Sequence, residues 1–468
     1  MKKILFFLVV QEILCGNPSP IVENNITAYD KVLKDTFSKM KQIANKKQSI
    51  KKRVALQYIE INSTKVPFIF EEDKNLPIVS MQLIFQNSGT LSDTKDGLVQ
   101  LTASLLNEGT KKEGSVGFAT QLENRAITLS THAGKETFVM ELGALKEEFP
   151  TAVERMVELL SDPNYSDETL EKIKTQTIGS IKRRESDFDY ISSLEMKKML
   201  FPNTPLAKPS SGTVESVGSI KLEDIEKQIT THIGLENAIV VMGGDLNTLE
   251  AKRLAEEVLK VLPMVSSEKL TTMTPIGKEQ IKEMLVKSEQ AYVYFGAPLD
   301  IAYDSNESHL SRVASFILGS SGFGSRLMEE IRVKKGLAYS AYSRFNINKT
   351  HAYFSGYLQT KVETGDEAVA SVKEVVNDFI AKGVTQEELT SAQQFLLGSE
   401  PLRNETLSQR LNRAFHEFYN EKSLGSANEE LTKIEHITLE ELNAFIAKHS
   451  EIAKLSFSVV TGEAKKDK

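Results

Sequence analysis

Cysteine is almost absent from this 468-residue chain. The single one, Cys15, excludes a disulfide framework within the chain and any cysteine zinc cluster. Charge of one sign is also lacking. The 57 Lys and Arg stand against 64 Asp and Glu, mixed along the chain, so there is no basic stripe for nucleic acid. The short runs Lys46–Lys47 and Lys51–Arg53 read as solvated linker. No segment approaches the ~20 apolar residues of a membrane-spanning helix. Only seven histidines occur (132, 232, 309, 351, 416, 436 and 449), and no two lie three to five residues apart. His416-Glu417 opens an H-E pair, but Asn420 stands where a second histidine would complete it. His232 and His449 read as structural. The G-x-S-x-G elbow of serine hydrolases is missing too.

Much of what is present is ordinary for a globular protein, with 40% hydrophobic and 26% charged residues. A chain this long exceeds one hydrophobic core, so two domains or more are expected. Residues 1–16 carry a positive start, Met1–Lys3, then the seven-residue apolar run Ile4–Val10. That pattern predicts a signal segment and export, to a bacterial periplasm or beyond. Ile13 and Leu14 before Cys15 are too bulky for a good lipoprotein site. Residues 17–52 are polar, with Tyr29, Val32, Leu33, Phe37, Met40 and Ile43 at helical spacing, and read as an extension outside the main fold.

From about residue 53 the chain repeats itself. Ile220–Ile225 is echoed by Ile437–Leu442, Ser166–Leu170 by Thr385–Leu389 and Ala238–Asp245 by Ser456–Glu463, at offsets of 217, 219 and 218 residues. Two copies of one unit of about 210 residues follow, spanning 53–265 and 280–468 and joined near Pro263–Gln280. In the first, Leu56–Ile61, Phe68–Glu71, Ile78–Gln86, Ile127–Ala133 and Phe138–Ala144 have strand character. Pro150–Leu160, Asp167–Ser186 and Leu222–His232 have helical period. Ser166 and Thr385 precede acidic first turns, as N-caps do. The expected fold class is α+β, each unit a mostly antiparallel sheet with helices on one face.

The segment Gly319–Tyr339, GSSGFGSRLMEEIRVKKGLAY, concentrates the unusual chemistry. Gly319, Gly322 and Gly324 permit positive φ or close backbone approach. Leu327, Ile331 and Met328 form the buried side of a helix starting at Ser325. Arg332 and Tyr339 follow, seven residues apart. A phosphate loop is excluded, because no lysine follows the glycines and no strand precedes them. An extended peptide is the remaining ligand class, and a structural loop between helices is the plain alternative.

This segment, the duplicated unit, Gln290-Ala291-Tyr292 and Gln393–Leu397 resemble the pitrilysin/insulinase family of zinc metallopeptidases, in its mitochondrial processing peptidase-like branch. The resemblance covers about residues 55–463. It implies a helix bearing H-x-x-E-H in the first unit, with two zinc-binding histidines, a general-base glutamate and a later glutamate ligand. Here the frame from Gly97-Leu98 to Gly109-Thr110 is intact, but Gln100, Ala103 and Ser104 occupy the three motif positions. Thr175 falls at the later ligand, with Glu171 one turn earlier. None of the four is a good zinc ligand, and alanine cannot act as a base. The resemblance therefore implies no metal in this chain and a non-catalytic subunit of a heterodimer. Zinc would sit in a paralogous partner carrying H-x-x-E-H. Arg332 and Tyr339 would complete the partner's site by hydrogen-bonding the substrate carbonyl, and Gly319, Ser320, Ser321, Gly322, Phe323, Gly324 and Ser325 would meet an extended peptide. A non-proteolytic scaffold, or a peptide-binding module of chaperone type, is the alternative.

Overall fold

The computed structural model describes residues 54–463. The predicted signal segment 1–16 and extension 17–52 lie outside the described residues. Five of the first six strands are those anticipated from alternation: β1 (Ala55–Ile61), β2 (Thr64–Glu72), β3 (Ile78–Gln86), β4 (Thr128–Ala133) and β5 (Thr137–Leu145). With β6 (Ala238–Gly244) they make a sheet of order β1-β2-β6-β3-β5-β4. The second half builds β7 (Ile281–Leu285), β8 (Gln290–Pro298), β9 (Ala338–Ile347), β10 (Ala352–Lys361) and β11 (Ser456–Thr461), ordered β7-β11-β8-β10-β9. Only β2–β6 and β7–β11 pair in parallel. In both sheets the last strand of the half inserts beside the central hairpin strand, β6 against β3 and β11 against β8.

One face of the first sheet is covered as its period-2 pattern requires. Val79, Met81, Leu83 and Phe85 of β3 join Val99, Ala103, Phe149, Val153 and Leu254 in one core. These come from helices Leu98–Leu106, Phe149–Ser161 and Thr248–Leu259. β6, however, is buried at every position, which a one-sided sheet cannot explain. Its Ile239 and Val241, with Ile69 and Ile84, pack under Leu411, Ala414 and Phe415. Those three belong to helix Leu407–Tyr419 of the second half, which lies on β2 and β6.

The arrangement is reciprocal. Helix Phe188–Leu200 of the first half lies on β8 and β11 of the second sheet. There Met196, Met199 and Leu200 meet Tyr353 and Tyr294. The expected α+β units, with helices on one face of each sheet, are present, and the opposite face of each sheet is covered by a helix from the other half. Polar contacts fix both crossings. Arg410 Nε donates to both oxygens of Glu71, at 2.9 and 3.0 Å, and its Nη2 reaches Asp73 at 2.8 Å. Glu71 is 1% exposed. Ser192 Oγ donates to the Ser458 carbonyl at 2.8 Å, and Glu195 holds Lys282 of β7 at 2.5 Å. Val54–Leu397 and Arg403–Glu463 consequently form one compact unit.

The β9–β10 turn contributes a buried histidine to the same seam. His351 sits edge-on to Phe201 at 5.9 Å and stacks on Tyr353 at 5.8 Å, with its nitrogens against Asn348 and Thr350. Burial first, then the charges of Lys135 and Lys197, lower its pKa from 6.5 to about 4. A lowered folded value means that its contribution to stability is present above pH 6.5 and is lost as pH falls toward 4. The loss approaches roughly 3 kcal/mol. Urea unfolding at pH 7.5 and 4.5 checks this, and His351→Gln should flatten that part of the profile. Arg410→Ala should cost about 3–5 kcal/mol in the same assay at neutral pH, because it strands the buried Glu71 carboxylate.

Candidate functional site

Helix Leu98–Leu106 begins where Asp93 accepts the backbone N–H of Val99 at 2.7 Å and of Gly97 at 3.1 Å. Burial pushes that carboxyl up to about 7 against these bonds. The frame from Gly97-Leu98 to Gly109-Thr110 has local backbone reasons. Gly97 adopts φ +90 with a Cβ position 2.7 Å from the Ser211 carbonyl, and Gly109 adopts φ +74 against Phe118. Both glycines are needed whether or not a metal binds.

The motif positions between them are chemically quiet. Ala103 is buried and Gln100 half-buried. Ser104 Oγ donates back to the Gln100 carbonyl at 3.0 Å, and Thr175 Oγ1 donates to the Glu171 carbonyl at 2.8 Å. Leu101 and Leu105 pack with Leu170 and Ile173, so helix Leu98–Leu106 does meet helix Asp167–Arg184. The two helices are therefore brought together as a ligand set would require, without donors between them. Glu171 pairs with Lys174 at 2.7 Å, and Glu108 takes Lys172 at 2.6 Å and the Ser115 hydroxyl. Among the described residues no three His, Cys, Asp or Glu side chains are grouped to hold a metal ion. The residues present do not fit zinc.

The residue at the C-terminal cap of this helix has a role that spacing does not reveal. Asn107 Nδ2 donates to the Thr131 carbonyl at 2.8 Å, and its Oδ1 accepts the Thr131 N–H at 2.7 Å. Thr131 lies on β4, one of the two edge strands of the first sheet. The amide thus substitutes for an added strand at that point.

The Arg–Tyr segment is assembled differently. Helix Ser308–Ser315 passes into a π-turn, Phe316–Ser320, then into the loop and a short helix, Arg326–Met328, capped by Ser325 Oγ on the Met328 N–H. A second π-turn, Glu329–Lys334, carries Arg332, and β9 opens at Ala338. The buried side is as expected, with Leu327 and Ile331 at 0% exposure. Ser325 and Gly319 are buried and face inward: Ser325 is the helix cap, and Gly319 lies so close to Ser343 of β9 that a Cβ would sit 2.1 Å from its hydroxyl. The loop between them, Ser320–Gly324, holds the surface, where Gly322 and Gly324 take φ +70 and +87.

The structure brings Phe323, Arg332 and Tyr339 together. The Arg332 guanidinium carbon lies 4.6 Å from the centroid of each ring, so the cation is stacked between two aromatic faces. Tyr339 is 82% and Phe323 72% exposed. Nothing in the described residues hydrogen-bonds or ion-pairs with the Arg332 guanidinium, so its N–H edges are available to a ligand. Neighbouring Arg326 has the opposite fate. It forks onto Glu388 at 2.6 and 2.7 Å, donates to the Gly383 carbonyl and lies over Phe379. That clamp, invisible to spacing, anchors the segment to the second-half helices.

Fold and site together define a duplicated α+β peptidase scaffold whose motif helix carries no metal donors. The comparisons agree: residues 68–214 match the insulinase (peptidase family M16) pattern and residues 219–396 the peptidase M16 inactive domain. A relative described as the non-peptidase homolog YmxG of Helicobacter pylori is 45% identical over 415 residues, covering 88% of this chain and 96% of the relative. The crystal structure of a peptidase M16 inactive domain from Pseudomonas fluorescens superposes with a TM-score of 0.80 at 25% identity, over 88% of this chain and 100% of that one. A protease from Helicobacter pylori shares the fold at TM-score 0.76 and 14% identity, over 87% and 100%. This chain belongs to the insulinase family, peptidase family M16.

Asn107→Ala should release the Thr131 amide from its clamp. Its hydrogen exchange should accelerate about tenfold, for a bond of roughly 1–1.5 kcal/mol, with exchange in β6 unchanged.

Proposed function

We propose that this chain is the non-catalytic subunit of a two-chain M16 endopeptidase. The observation that carries the reading is Arg332, fixed between Phe323 and Tyr339 yet without a protein acceptor of its own. A guanidinium held this way is pre-oriented to donate to an oxygen that gains charge during acyl transfer, and the Tyr339 phenol offers a further donor beside it. The motif helix of the same chain supplies neither base nor ligand, so the other half of the chemistry must come from a partner with H-x-x-E-H. A zinc ion there would polarise the scissile carbonyl. A homodimer of this chain would lack that half twice over.

Two findings support the pairing. The 45% identical Helicobacter pylori relative is itself described as a non-peptidase homolog, and the same organism holds a protease of this fold. The surface loop Ser320–Gly324 would meet an extended peptide, and the N-terminal segment would direct export to the periplasm. A scaffold or peptide-binding role without proteolysis is the second reading. It is favoured by Asn107, which occupies an edge position of β4 where a peptide strand would otherwise pair.

The isolated chain should retain no stoichiometric zinc after dialysis, by atomic absorption, and should cleave no peptide. Co-expressed with an H-x-x-E-H paralogue, Arg332→Ala and Tyr339→Phe should each lower turnover by about 10²–10³-fold while the pair still co-elutes on gel filtration. Unchanged turnover in both variants would favour the scaffold.

A further inference from the structure

A second site lies in the first half, at the start of the motif helix. A cleft of about 140 Å³ is formed where Thr90–Asp96, the β4–β5 turn, helix Phe188–Leu200 and the loop 205–210 converge. That volume is close to the ~150 Å³ cavity that holds a benzene-sized group. Leu91, Leu194, Leu206 and the Tyr190 ring supply apolar wall.

The charges lining the cleft do not balance. Its two acids are already committed. Asp96 pairs with Lys208 at 2.7 Å, and Asp93 accepts two backbone N–H groups. Glu136, next to the cleft, is held by the Thr350 N–H at 3.0 Å and the Tyr419 hydroxyl at 2.9 Å. On the basic side, Lys135 and Lys197 line the cleft, and neither ammonium group has a hydrogen-bond or ion-pair partner among the described residues. Arg184 also lines it, its guanidinium bonded among the described residues to the Ser211 hydroxyl and lying over Tyr190. Folded proteins leave surface lysines unpaired at little cost in open water, but here the cations crowd one another. Lys135 is reached by solvent yet walled in. It is pulled down to about 8, first by that enclosure and then by Lys197 and by Arg344 of β9. Burial and then Arg344 lower Lys197 as well. An anion placed among them relieves both effects, because opposite charge favours the protonated amines.

We propose that this cleft binds the carboxylate of a peptide, its C-terminal group or an acidic side chain, between Lys135, Lys197 and Arg184, with the apolar body of that residue against Leu194, Leu206 and Tyr190. The combination of cations with leucine and tyrosine walls matches a residue that is charged at one end and apolar along its length. The proposal extends the reading that this chain meets peptides, and it requires neither a partner nor catalysis.

Fluorescence anisotropy on the full isolated chain tests it with a labelled octapeptide in three forms: free C-terminal acid, C-terminal amide, and amide with a glutamate as the last residue. The free acid should bind about tenfold more tightly than the plain amide, the difference expected for one charge-assisted contact, and the gap should narrow as salt is raised. The glutamate form separates the two carboxylate sources: matching the acid makes the side chain sufficient, whereas matching the amide limits the site to C-termini. Lys197→Met and Lys135→Met should each weaken acid binding about tenfold and leave amide binding and the melting temperature unchanged. Equal affinity for all three forms would overturn the carboxylate site while leaving peptide binding intact. Absence of binding by every form would overturn both.

Discussion

The rest of this structure depends on the exchange of one helix between the two halves. A strand such as β6, apolar at every position, needs cover on both faces, and its own half supplies cover on one only. Helix Leu407–Tyr419 closes the first sheet and helix Phe188–Leu200 closes the second. Neither half can therefore bury its sheet alone, and duplication has produced an interlocked body rather than two beads on a linker. The Arg410–Glu71 pair illustrates the constraint: it is buried, charged and stable only while the two halves remain joined.

That packing seats the motif helix without a metal donor on it. The glycines framing the degenerate motif answer to backbone geometry, and Leu101 and Leu105 still seat the helix against its neighbour. Alanine at the base position simply joins the core. The hydroxyls at two ligand positions bond to carbonyls one turn back, so no polar group is orphaned. The second half keeps the opposite character: a cation stacked between exposed rings and left with free N–H edges. Under the proposed function, the quiet helix of one half and the open cation of the other belong to a site completed by a partner.

Much of the architecture was legible because it rests on local rules. Strand alternation in Ile78–Gln86 and helical period in Leu222–His232 marked elements whose limits the structure reproduces. Ser166 and Thr385 cap the helices they precede, through Thr169 and Glu388. The crossing of Leu407–Tyr419 was not legible. An apolar stripe states that a helix is buried, but not against which sheet. The clamps of Asn107 and Arg326 and the stacking of Phe323 on Arg332 escaped for a similar reason, since the partners Thr131, Glu388 and Arg332 are chosen by folding and not by spacing.

The sequence by itself determined the duplication, the α+β class, the absence of metal donors at positions 100, 103, 104 and 175, and the Arg332–Tyr339 interval. Each of these is a matter of residue identity or short-range periodicity. Only the tertiary structure decided that Gly319 and Ser325 turn inward while Phe323 turns out, that Asn107 occupies an edge strand, and that unpaired lysines gather in one cleft. Those outcomes depend on which surfaces exclude water together, and that is settled by long-range packing between segments that the chain order keeps far apart.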